Sequence, residues 1–185
     1  EEKAEVAGKK AVQAKKALAE TIKEKEQTSL ELQIITSAKL EAEREAQHER
    51  FLKFLNELEL YVNMLARGEG YVDDALAEIE KGKDTSAFIL LNQGKVLFEE
   101  VNTRGLDLLN NRTEEQYKEK MRPLLQSGAF FIDASRSLGS AVFYIGKTNQ
   151  DDAQKFSELL SDGKSAREEA ARLMNETKSF IQASR

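Results

Sequence analysis

The sequence predicts an all-α protein: an antiparallel, up-down-up-down four-helix bundle preceded by a long N-terminal helical extension. Three observations carry that expectation. There is one proline in 185 residues, so almost nothing interrupts helical hydrogen bonding. Apolar residues recur at alternating steps of three and four, the spacing of a helix face that packs against other helices. Finally, the breaks at 111–113 and 146–149 are short, and short connections force neighbouring helices to run antiparallel. A three-helix, spectrin-like bundle is the alternative arrangement.

Residues 1 to about 67 contain Gly8 as their only glycine and no proline. They read as one very long helix, roughly 95 Å at about 1.5 Å per residue. A seam runs through Ala4, Ala7, Ala11, Ala14, Leu18, Thr21, Lys25, Thr28, Leu32 and Ile35. Most of its residues are small, so it buries little area and is weak on its own. Residues 1–29 are accordingly expected to form a stalk, with the bundle domain spanning 30–185. After the charged stretch 41–50, large apolar residues begin: Phe51, Leu52, Phe54, Leu55, Leu58, Tyr61, Val62 and Leu65. Gly68 and Gly70 are read as the stop of this helix, with a short helix from Tyr71 to Glu80 and a further break at Gly82.

The next helix opens at Asp84 or Thr85 as cap. Its predicted stripe is Leu90, Gly94, Leu97, Val101 and Leu108, flanked by Leu91 and Phe98. Gly94 and Gly105 fall on nearly the same face and imply either a close approach of helices or a notch for a ligand. Thr113 and Gln116 have the spacing of a capping box and open a helix to about Ile145, with Pro123 expected to kink it or to mark a restart. Phe131, Leu138, Val142 and Ile145 share one face of that helix, with Phe130 and Tyr144 offset from it. Thr148 or Asn149 caps the last helix, whose first turn holds Asp151 and Asp152, where the helix dipole favours negative charge. Its trace is the clearest in the chain: Phe156, Leu159, Gly163, Ala166, Ala170, Leu173, Thr177 and Phe180.

Several chemistries are excluded by residue content. With no cysteine there is no disulfide, thiolate nucleophile or cysteine metal site. Glu45 and His48 have the spacing of a bundle di-iron motif, but such a site needs a second histidine, and the chain has one. Gly146-Lys147-Thr148 and Gly163-Lys164-Ser165 imitate the end of a phosphate loop. The first glycine that loop requires is replaced by Ala141 and Glu158 respectively, and no strand precedes either. No base is in register with a serine or threonine nucleophile, so no catalytic residue, metal or cofactor is expected. The formal charge of −5, with 28 basic and 33 acidic residues, lacks the basic excess of a nucleic-acid binder. No segment approaches the ~20 apolar residues of a membrane span; Asp133 and Arg136 interrupt the nearest candidate, Ser127 to Gly146. Asn111-Arg-Thr113 and Asn175-Glu-Thr177 match the glycosylation pattern, although Thr177 falls on the predicted buried seam.

The functional expectation is a non-enzymatic interaction or structural protein that presents a helical docking surface to a protein partner or to another copy of itself. A start at Glu1 instead of Met fits removal of an export signal, which favours an extracytoplasmic, lipoprotein-like domain tethered to a membrane upstream of Glu1. The alternative is a ligand-binding, sensor-type bundle. Gly94, Gly105, Phe130, Phe131, Phe143 and Tyr144 are the candidate ligand or partner surface in either case.

Overall fold

A computed structural model of the chain describes residues 2–111 and 114–185, with side chains from position 15 onward. The described residues are all-α, in four helices: α1 (Glu2–Glu80), α2 (Asp84–Asn111), α3 (Glu115–Val142) and α4 (Gln150–Ala183). The chain divides into two compact units, Glu1–Phe51 and Leu52–Arg185. In the first, every described side chain from Lys15 to Arg50 is exposed. Exposure continues past position 30 and through the charged stretch 41–50; Phe51 is half-buried, and the first fully buried positions are Phe54 and Leu55.

The second unit is a four-helix bundle. Its share of α1 buries Leu55, Leu58, Val62, Leu65, Gly68, Val72, Ala75 and Ile79 in unbroken steps of three and four, with Phe54 and Tyr61 buried beside them. α1 passes straight through Gly68 and Gly70, correcting the expected stop there. Gly68 is buried under the ring of Phe98, which occupies the space a side chain at 68 would need. This glycine permits close approach of α1 and α2 instead of ending a helix. The stop falls at Gly82, at φ +69°. Gly82 N–H donates to Ile79 O and Lys83 N–H to Glu78 O, both at 2.9 Å, the paired bonds of a Schellman cap.

The buried stripe of α2 is Ala87, Leu91, Gly94, Phe98, Val101, Gly105 and Leu108. Leu91 and Phe98 are thus central, while Leu90 and Leu97 are half-buried. α3 continues through Pro123 without a restart. It begins at Glu115 with Glu114 at its cap; Thr113, the expected capping residue, lies outside the described residues. In α4, the Asn149 side chain accepts from Asp152 N–H at 2.7 Å, so Asn149 is the cap. Thr177 is 1% exposed, as its place on the seam implied.

Contacts between helices run in reversed chain order, the antiparallel sense. Between α2 and α3, Gly105 meets Leu125 and Phe98 stacks on Phe131 at 4.7 Å; Phe88 then meets Phe143 edge-on at 6.0 Å. Between α3 and α4, Lys120 lies over the Phe180 ring, Ser127 Oγ donates to Ala170 O at 2.8 Å, and Leu138 packs over Gly163. The α1 and α4 helices are clipped on their outer edges. Arg167 donates two bonds to the Asp73 carboxylate, at 2.9 and 2.8 Å, and Arg185 pairs with Glu59.

Candidate functional site

The six residues singled out from sequence fall into three settings. Gly94, Gly105 and Phe131 are in the core. A Cβ on Gly94 would stand 3.0 Å from the carbonyl oxygen of Gly68, and one on Gly105 would stand 2.7 Å from Leu125. The space beside both glycines is therefore filled by the protein itself. Phe131 is 0% exposed beneath Phe98. Phe130, 37% exposed, lies at the surface in the middle of α3. Phe143 and Tyr144 sit at the C-terminal end of α3, with Phe143 66% exposed and Tyr144 beneath the ammonium of Lys147 at 4.5 Å.

Phe143 is the member of this set that borders open space. Two cavities flank the Phe88–Phe143 pair. One, of about 300 Å3, lies at the ends of the helices between Asp84, Thr85, Val142 and Ile145. The other, of about 230 Å3, lies in the furrow between α2 and α3. Leu91 and Ser135 border this furrow deep in the bundle, 2% and 4% exposed. Asn92, Lys95, Arg136 and Ser140 also line it. Gly139 also lines the furrow, and a Cβ at that position would meet nothing within 4 Å.

Polar groups around the furrow are unevenly satisfied. Arg136 donates to Asp133 at 3.0 Å and Lys95 pairs with Glu99 at 3.5 Å, both along their own helices. Ser140 Oγ donates to Arg136 O at 3.0 Å. The Ser135 hydroxyl is buried and has no hydrogen-bond partner, an arrangement that costs free energy unless something else supplies the partner.

Phe88, Asn92, Ser135 and Gly139 were not singled out by sequence reasoning. The signal was available only in pairs: Phe88 and Phe143 are 55 positions apart, and nothing along the chain marks them as neighbours.

Elsewhere, burial raises the pKa of Glu69 above the ordinary carboxylate range, against the opposing pull of Arg167 3.0 Å away. The Arg167 guanidinium is in turn held more firmly protonated by its bonds to Asp73. This cluster joins α1 to α4 and borders no cavity described above. Among the described residues no group of His, Asp or Glu side chains is arranged to hold a metal ion, and no helix is long and apolar enough to cross a membrane.

No protein family, curated protein or solved structure matches this chain. The functional argument therefore rests on the residues themselves.

Proposed function

We propose that this is a non-enzymatic helical interaction protein, in which a four-helix bundle is joined to a helix made to be covered by other helices in coiled-coil fashion. The observation that carries this reading is the first unit's exposed apolar content. Leu18, Ile22, Leu30, Leu32, Ile34, Ile35 and Leu40 are each 49–67% exposed. A helix in water gains most of its stability from packing an apolar face, and burying one such side chain fully contributes about 1.5–3 kcal/mol.

The arrangement of these residues says what kind of partner fits. At the 3.5-residue period of a coiled coil, Leu18, Ile22, Leu32 and Ile35 share one face. Leu30 and Ile34 lie on the opposite one, with Leu40 between. A single partner helix covers one face only, so the segment suits an assembly of three or more helices. Self-association through this segment is the simplest form of it.

Sedimentation of the full chain, with amide exchange of residues 15–50, tests the reading. The expected result is an assembly heavier than the 20.8 kDa monomer that reverts to monomer in Leu18→Glu/Leu32→Glu, or a monomer whose amides in this segment exchange freely until a partner is added. A monomer with strong protection throughout 15–50 would show a helix that needs no cover, and would overturn the reading.

A further inference from the structure

The geometry points to the furrow between α2 and α3 as a binding site for a small aromatic carboxylate. This site is separate from the helical surface of the first unit and does not depend on it.

Size is the first argument. An apolar cavity of about 150 Å3 holds a benzene ring. The furrow offers about 230 Å3, enough for one ring with a carboxylate attached. The second is the character of its walls. Phe88 and Phe143 stand edge to face at the mouth, and Leu91 lies buried alongside. A planar ring can replace some of the solvent contact that Phe143 now has, and aromatic pairs favour such offset or edge-on packing.

Charge and hydrogen bonding then select the polar end of the ligand. Lys95 and Arg136 both border the furrow, and no carboxylate lines it. Their present partners, Glu99 and Asp133, are exposed surface pairs, and such pairs are weak and readily exchanged. The Ser135 hydroxyl is buried in the furrow wall and unpartnered, and a turn of its side chain toward the furrow supplies a donor for an acceptor oxygen. A carboxylate satisfies that donor and complements the two cations at once. A neutral alcohol or amide satisfies only the donor.

Gly139 lines the furrow with open space beside it, and that makes the inference testable without breaking the fold. A side chain at 139 enters empty space and improves helix propensity. Benzoate is titrated into the full, isotope-labelled chain at neutral pH and followed by amide shifts. The expected result is saturable binding with Kd of about 1 mM or tighter, with shifts concentrated at 88–95 and 135–143. Gly139→Leu fills the furrow and abolishes those shifts while the protein stays folded. Ser135→Ala weakens binding about tenfold or more, and benzyl alcohol binds more weakly than benzoate. Shifts that rise linearly without saturating, binding undiminished in Gly139→Leu, or benzyl alcohol binding as tightly as benzoate would each overturn the assignment.

Discussion

Leu32 and Leu58 stand on the same helix, α1, and differ in almost everything else. Leu32, in the first unit, is 64% exposed, whereas Leu58, in the second, is 0% exposed. The helical conformation is common to both; the burial is not. The contrast separates two questions that sequence reading tends to merge. Good helix formers without interruption favour a helix, although packing supplies most of its stability. Covering its apolar side chains takes other helices, which the second unit supplies from α2, α3 and α4.

That contrast can be broken most forcefully at Leu58. Leu58→Ala removes buried volume and is expected to cost about 2–5 kcal/mol in chemical denaturation of the bundle. Leu32→Ala should leave the same transition within about 0.5 kcal/mol and act on association instead. Equal effects at the two sites would erase the distinction between the units.

A sharper comparison sits within one helical turn. Gly68→Ala drives a methyl group into the Phe98 ring and should destabilise by about 1–3 kcal/mol, as overpacked cores do. Gly70→Ala meets nothing within 4 Å and should stabilise by about 0.5–1 kcal/mol through helix propensity alone. Thermal melts of the two variants should therefore shift in opposite directions.

Smaller again is the edge clip. Arg167→Met loses the forked pairing to Asp73 and the contact with Glu69. Part of that loss is screened by solvent, so the expected cost is about 1 kcal/mol. Arg172→Met, whose Glu169 partner lies on its own helix with both side chains exposed, should have less effect in the same denaturation series.

The smallest effect expected is in pH dependence. Burial holds the folded pKa of Glu69 above its unfolded value, so the native state binds this proton more tightly. Stability linked to Glu69 is therefore greatest at low pH and falls as pH rises through the raised pKa. Glu78 and Glu169 have lowered pKa values, from hydrogen bonds with Lys81 and Arg172 respectively; their contribution runs the other way and is lost on acidification. Glu69→Gln should thus flatten the fall in stability just above the ordinary carboxylate range without touching the acid limb. Denaturation midpoints measured across mildly acidic pH would show it.

Much of this architecture was readable in advance. The α4 trace from Gly163 through Ala170, Leu173 and Thr177 is buried as its spacing implied. Asn149 caps where expected, and Gly146 adopts φ +76°. Gly68 misled because a glycine that ends a helix and one that admits a neighbouring ring look alike in a sequence. Leu90 and Leu97 misled because two adjacent large apolar residues make the centre of a stripe ambiguous by one position, and the choice fell to Leu91 and Phe98. The furrow was legible only at Phe143. Its other walls come from α2 and from Ser135 and Gly139, whose pairing depends on the register of two helices.

By itself, then, the sequence determined what is local: a helical chain, the period of its apolar faces, its caps, and a residue content with no thiol and a single histidine. These follow from residue type and from spacing within a few turns. Only the tertiary structure decided which glycines are filled, which phenylalanines are covered, and which serine is left without a partner. Burial and hydrogen bonding depend on the residue opposite, and in an antiparallel bundle that residue lies tens of positions away along the chain.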